Sequence, residues 1–208
     1  MAMEAMLDEG ARALGVQLTA EMQVLLLQFV ALLAKWNRVY NLTSVRKPPD
    51  MITRHILDSL AALPYVRGPQ VLDIGTGAGL PGIPLAVARP EWDLVLLDSS
   101  GKKLRFVRQV VTELGLPNVR VEHARIEEYA PEARYDTVIS RAFSSLGEIY
   151  EQAARLCNAD GSLIAMKGVY PVAEVEALPD QGLVRDVVAL EIPQLQAQRH
   201  LVIMGPDR

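Results

Sequence analysis

Four glycines fall within the eight residues Gly75-Thr76-Gly77-Ala78-Gly79-Leu80-Pro81-Gly82, directly after the apolar stretch Val71-Leu72-Asp73-Ile74. Glycine admits a left-handed backbone and lets a ligand approach the main chain. One strand-to-helix turn needs fewer glycines, so the run reads as a ligand loop at the carboxyl end of a strand. Two acids narrow the ligand. Asp73 stands inside the strand end, where it would repel a pyrophosphate but attract the ammonium and sulfonium of S-adenosylmethionine. Asp98 closes the next apolar run, where a carboxylate can accept hydrogen bonds from ribose hydroxyls. Its plain structural alternative is capping the helix that starts near Lys102, although Ser99 or Ser100 could do that instead. NAD enzymes also place an acid at this point, and from Gly77 the loop matches GxGxxG. A methyltransferase and an NAD-dependent oxidoreductase therefore both stay open on the loop alone.

The elements that must position these residues follow from periodicity. Apolar residues at helical spacing predict a helix over Met3–Leu14, stopped by Gly15. A second helix runs from the cap Thr19 to about Trp36, and a polar loop containing Pro48-Pro49 covers Asn37–Asp50. A third helix, capped by Asp50, reaches Leu63 and buries Ile52, Ile56, Leu57, Leu60 and Leu63. Beyond Gly68 short apolar runs alternate with helical stretches. Strands are expected at Gln70–Ile74, Leu94–Asp98, Val119–His123, Thr137–Ser140, Ser162–Met166, Val184–Leu190 and Leu201–Met204. Helices fill Ile83–Ala88, Lys102–Leu114, Leu146–Cys157 and Val172–Ala177. This alternation predicts an α/β doubly wound, mostly parallel seven-stranded sheet of Rossmann type, with an antiparallel last strand. The chain divides into a helical extension, residues 1–66, and a ligand-binding domain, residues 67–208.

Composition excludes several classes. One cysteine among 208 residues rules out a disulfide framework. Three scattered histidines with that cysteine offer no metal cluster. Cys157, late in a predicted helix, reads as core. The N-terminus carries Glu4, Asp8 and Glu9, unlike a signal peptide. The most apolar run, Val24 to Ala34, falls well short of the ~20 residues of a membrane span. A cytoplasmic monomer is expected.

Further motifs give the chain a family resemblance. They are Asn37 with Asn41-Leu42-Thr43, Arg54-His55-Ile56-Leu57-Asp58-Ser59-Leu60, and the glycine loop with its continuation Ile83-Pro84-Leu85. Then come Asp98-Ser99-Ser100-Gly101-Lys102-Lys103, Ile139-Ser140-Arg141-Ala142, Met166-Lys167-Gly168 and Arg199-His200-Leu201. From about Asn37 to Ile203 the chain resembles the bacterial glucose-inhibited division protein B family, the small-subunit ribosomal RNA 7-methylguanosine methyltransferases. The resemblance implies an S-adenosylmethionine-dependent methyltransferase fold and methylation of a guanine N7 in the decoding-region loop of 16S rRNA. The substrate would be that rRNA or the 30S subunit. It implies cofactor contacts at Gly75, Leu80, Ile126, Glu127 and Arg141, beside Asp73, Gly77, Gly79 and Asp98. An enzyme acting on a small molecule or a protein, and a ribosome-binding protein without activity, are the alternatives.

Each remaining residue has a physical role to set against a plainer one. Ile126 could sandwich an adenine, and Glu127 could bond its edge or merely solvate a turn. Arg141, at a strand's carboxyl end, could bind the methionine carboxylate or an RNA phosphate, or pair with an acid such as Asp73. Lys167 ends the fifth strand likewise and could meet RNA phosphate or guanine O6, leaving N7 free. Arg199 and His200 open the last strand and could line the same rim. Arg54 and His55 sit at i and i+1, so at most one is expected to face substrate. Guanine N7 already exposes a lone pair, so no general base is expected; Arg141 and Lys167 would position the reactants.

The net charge of −4 looks unsuited to RNA, but the basic residues are unevenly spread. Lys35, Arg38, Arg46, Lys47 and Arg54 face one acid, Asp50, within their segment; Lys102, Lys103, Arg105 and Arg108 face none in theirs. These nine of the 21 basic residues are expected to form a local surface that guides RNA, with Arg46, Lys47, Arg54, Lys102 and Lys103 as contacts. Solvation of a loop and a helix face is the plainer reading.

Overall fold

The computed structural model describes residues 2–142 and 145–205. Its strands are β1 (Gln70–Ile74), β2 (Asp93–Asp98), β3 (Val119–His123), β4 (Tyr135–Ser140), β5 (Cys157–Lys167), β6 (Val184–Ala189) and β7 (His200–Met204). They form one sheet in the order β3-β2-β1-β4-β5-β7-β6. The first five pair in parallel, while β7 runs antiparallel to both β5 and β6. The last strand is thus antiparallel, as expected, but it is internal, and β6 forms the edge. Strand order reverses between β1 and β4, so the crevice for a ligand opens at their carboxyl ends.

The helices are α1 (Met3–Ala13), α2 (Ala20–Tyr40), α3 (Pro48–Met51), α4 (Asp58–Leu60), α5 (Gly82–Ala88), α6 (Gly101–Leu114), α7 (Leu146–Ala153) and α8 (Val172–Glu176). Thr19 caps α2, its side chain accepting from the Met22 amide at 3.2 Å. This helix runs one turn past the expected end at Trp36, stopping where Asn41 turns left-handed at φ 50°. The polar stretch hid that turn because its packing is aromatic: Trp36 and Tyr40 stack at 5.1 Å. Prolines 48 and 49 open α3 where their missing amides cost nothing, so Asp50 sits in the first turn and is not the cap. Between α3 and α4 the chain makes a π-helical turn, Ile52–Leu57. The five apolar residues expected on the buried side of this helix are all buried.

One sheet face packs on α1, α2, α5, α6 and the π turn, the other on α7 and α8. Phe106 of α6 is fully buried, 6.2 Å from Phe29 and 5.7 Å from Trp36, and joins the N-terminal helices to the sheet. Cys157 is not in a helix: Ala154–Leu156 forms a short 3-10 turn, and Cys157 opens β5. It is buried, as expected, and burial pushes its thiol up to about 12. Among the described residues no helix is long and apolar enough to cross a membrane.

The shared aromatic seam predicts that Phe106→Ala lowers stability by about 3–5 kcal/mol in urea denaturation. It also predicts that helices and sheet still unfold in one transition. A loss below about 1 kcal/mol would contradict the seam's role.

Candidate functional site

Asp73 shapes the glycine loop from behind. It is fully buried in β1, and its Oδ2 accepts from Thr76 Oγ1 at 2.6 Å and from the Gly82 amide at 2.8 Å. One oxygen therefore pins both ends of the loop. The Gly75 and Thr76 amides donate to the Leu97 carbonyl at the end of β2, at 2.8 and 3.1 Å. Gly75, Gly77 and Gly79 take φ of 66°, 58° and 82°, where a side chain would be strained. A Cβ at Gly82 would strike Leu96 and the Asp73 carboxylate, so only glycine lets α5 start this close to β1 and β2.

Beside the loop lies a cleft of about 310 Å³, walled by Gly75, Asp98, Ser99, Ile126, Glu127 and Ala142 among others. Asp98 is almost buried, with Oδ2 accepting from the Gly77 amide at 2.8 Å and Oδ1 from the Ser100 amide at 2.7 Å. Each oxygen retains a lone pair for a ligand hydroxyl. Asp98 does not cap α6; the Ser100 hydroxyl does, accepting from the Lys103 amide at 3.4 Å. Ile126 is buried and Glu127 exposed on the 3-10 turn Ile126–Glu128. Arg155 fixes that turn, donating to the Ile126 carbonyl at 2.6 Å, a contribution sequence reading missed.

Four of the residues expected to contact the cofactor have structural duties in the loop itself. Asp73 has no exposed surface. Leu80 is buried in the core below the loop. Gly79 is needed because a Cβ there would run into Ile83. Gly77 spends its amide on Asp98. All four shape the loop that borders the cleft.

A second cavity, about 380 Å³, opens beside the first and is lined by Arg54, His55, Asp58, Arg141, Lys167 and Arg199 among others. At its floor Asp58, nearly fully buried, accepts from Arg141 Nη1 at 3.1 Å and from Arg199 Nε at 2.7 Å. Arg141 therefore faces this cavity and not the cleft, and its partner is Asp58 and not Asp73. The pairing was illegible because 83 residues separate the two in sequence. Lys167 pairs with Glu174 at 2.8 Å. Arg54 is exposed, and its guanidinium makes no ion pair or hydrogen bond among the described residues. Both Arg54 and His55 line the cavity, although neighbours at i and i+1 share a face poorly on an α-helix. The π turn packs more residues per turn, so successive side chains diverge less than on an α-helix.

His55 is held on both nitrogens, 2.9 Å from the Arg54 carbonyl at Nδ1 and 2.8 Å from Thr43 Oγ1 at Nε2. A carbonyl only accepts, so Nδ1 carries the hydrogen and Nε2 accepts from Thr43. Burial, aided by the Arg141 and Arg54 charges, pushes the ring down to about 4, so it is neutral at pH 7. The loop carrying Thr43 hangs from Asn37, whose Oδ1 accepts from the Thr43 amide at 2.9 Å and whose Nδ2 donates to the Val45 carbonyl at 3.0 Å.

The other RNA candidates divide. Arg46 donates to the Asn37 carbonyl and to Asn41 Oδ1, securing the end of α2, while Lys47 is exposed. Lys102 lies over the Tyr40 ring at 5.5 Å, so the two basic segments meet where α2 ends and α6 begins, with Lys103 beside it. His200 is buried, donates from Nδ1 to the Gly168 carbonyl at 3.0 Å, and does not line the cavity as Arg199 does.

The charge beneath the loop also bears on the ligand. Among the described residues Asp73 Oδ1 is the sole buried side-chain polar atom without a hydrogen-bond partner. Burial pushes this carboxyl up to about 6, outweighing the bonds from Thr76 and Gly82. An acceptor kept short of donors beneath the loop is complementary to a cationic ligand.

Comparison with known proteins gives a consistent result. The family model described as rRNA small subunit methyltransferase G matches residues 22–202. The chain is 48% identical over 199 residues to a ribosomal RNA small subunit methyltransferase G of Laribacter hongkongensis, covering 96% of each. It is 50% identical over 179 residues to the protein of that name from Idiomarina loihiensis, covering 86% of this chain and 87% of the relative. Among solved structures, a SAM-dependent methyltransferase from Aquifex aeolicus matches with TM-score 0.60 at 20% identity, covering 76% of this chain and 94% of that one. A precorrin-6y C5,15-methyltransferase from Geobacter metallireducens matches with TM-score 0.56 at 19% identity, covering 71% and 87%. At these identities the structural likeness concerns the fold.

The buried neutral imidazole predicts a pH effect. His55 titrates near 6.5 when unfolded and about 4 when folded, so its contribution is present above pH 6.5 and is lost as pH falls toward 4. Relative to wild type, His55→Gln should therefore gain roughly 2–3 kcal/mol between pH 7.5 and 4.5 in urea titrations. Parallel curves for the two proteins would show that His55 is not buried in neutral form.

Proposed function

The chain belongs to the rRNA small subunit methyltransferase G family, and on that premise we propose that it methylates N7 of a guanine in small-subunit ribosomal RNA. The observation that carries the reading is the adjacency of the two cavities. Arg141 lines the cationic one and the next residue, Ala142, lines the cleft. A donor in one and an acceptor in the other meet across the end of β4.

S-adenosylmethionine supplies an electrophilic methyl group on a sulfonium. Toward it, Asp98 offers free lone pairs to the ribose hydroxyls, Ile126 an apolar face to the adenine, and Glu127 a polar edge. Gly75 presents bare backbone, since a Cβ there would meet Ala142 at 2.6 Å. Asp73 acts through its field from beneath the loop.

Toward the guanine, the chain's task is orientation. Holding the reacting atoms in line can supply about 7–11 kcal/mol of the barrier. Asp58 keeps Arg141 and Arg199 fixed while cancelling one of their charges, which leaves a rigid cationic floor suited to guanine O6 and phosphate. Lys167, paired with Glu174, lines the same cavity, and the exposed Arg54 is left for a phosphate. His55 is a positioning residue: both its nitrogens are committed, so it carries no proton to or from the base. The segments around Arg46, Lys47, Lys102 and Lys103 extend the positive surface toward the RNA, and binding is expected to weaken with salt.

The test uses 30S subunits from a strain lacking this protein, with label in the methyl of S-adenosylmethionine. Wild type should place label in rRNA as 7-methylguanosine. Asp58→Asn should slow transfer about 100-fold with S-adenosylhomocysteine affinity within about twofold. No label in rRNA, with a control methyltransferase active in the same assay, would overturn the proposed function.

A further inference from the structure

Three apolar side chains stand in solvent within four residues: Val169, 70% exposed, Tyr170, 49%, and Val172, 53%. They follow at once on Lys167 and Gly168, which line the cationic cavity. The other exposed large apolar residues among those described, Met3, Val24 and Val39, are scattered along α1 and α2. A cluster of this kind beside a functional cavity marks a contact surface, because water disfavours it and nothing in the fold requires it.

Tyr170 is also held in place. Its ring meets that of His200 at 5.5 Å with an interplanar angle of 78°. His200 in turn is tied to the carbonyl of Gly168, two residues before Tyr170. Loop, imidazole and phenol brace one another, so an aromatic ring is presented half in solvent and already ordered. Ordering in advance reduces the entropy lost on binding.

The neighbouring charges decide what the ring is for. Arg54, Arg141, Arg199 and Lys167 line the adjoining cavity, and with Asp58 and Glu174 counted against them its charge stays positive, a field that attracts an anionic chain. An anionic chain that also offers flat apolar faces is a single-stranded nucleic acid, whose bases stack on exposed aromatic rings. We infer that Tyr170 is a stacking platform for the nucleobase next to the target guanine. The target must leave its stack to enter the cavity. Its neighbour then loses a stacking partner, and the Tyr170 ring replaces it. This inference rests on the RNA substrate argued above and adds the residue that grips the strand outside the reacting base.

The experiment compares wild type with Tyr170→Ala, Tyr170→Leu and Tyr170→Phe. The probe is a fluorescein-labelled single-stranded RNA carrying the decoding-region loop, read by anisotropy, alongside methyl transfer to 30S subunits and to protein-free rRNA. Alanine should weaken RNA binding about tenfold and raise the KM for RNA similarly, with kcat within about twofold. Phenylalanine, which keeps the ring, should restore both to within about twofold, leucine should not, and S-adenosylhomocysteine affinity should be unchanged throughout. Alanine binding as wild type overturns the inference, and so does leucine matching phenylalanine. A loss seen only with intact 30S subunits and absent on protein-free rRNA and the labelled RNA also overturns it, assigning the patch to a ribosomal protein. In each of these results wild-type methylation of rRNA stays intact, whereas its absence would instead count against the proposed function.

Discussion

A carboxylate buried between two guanidinium groups ties the molecule together. Taking Asp58 out of water would cost several kcal/mol were it unpaired. Arg141 on one oxygen and Arg199 on the other offset that cost. The three residues come from α4, from the end of β4 and from just before β7, so the cluster fastens the N-terminal helices to two parts of the sheet. Its net charge is positive, and the cavity above it inherits that sign. The π turn just before Asp58 carries Arg54 and His55 into the same space.

Asp73 does comparable work on the other side of β4. One oxygen closes the glycine loop and the other is left without a donor, a cost the fold carries at the place where a cationic ligand would repay it. The glycines divide the labour. Gly82 and Gly79 permit close packing under the loop, Gly77 lends its amide to Asp98, and Gly75 exposes backbone to the cleft. A motif that reads as one ligand-binding unit is thus also a device for shaping the wall.

Buried ionisable groups in the two halves have opposite signs. Asp73, pushed up to about 6, makes the folded protein favour a proton as pH falls below 6. His55, pushed down to about 4, makes it resist one over much the same range. The two contributions oppose each other between about pH 6 and 4, so the stability of the wild-type protein reports only their difference there.

Much of the fold was legible in the residues. Strands β1 and β3 lie where alternation of apolar runs put them, and the parallel sheet follows from strands separated by helices. The glycine loop, Asp98, Ile126 and Glu127 are local in sequence to the strand ends that hold them, so their convergence on one cleft could be foreseen from strand order. The partner of Arg141, the union of Arg54 with His55, the inward duty of Asp73 and the internal place of β7 could not. Those depend on which residues meet across long stretches of chain and on a change of helical pitch that no periodicity announces. Sequence by itself determined the sheet, the cofactor loop and the family, because these rest on local pattern and short spacing. Tertiary structure alone decided which charges are spent on one another and which remain for a substrate, because an ion pair is a matter of distance in space.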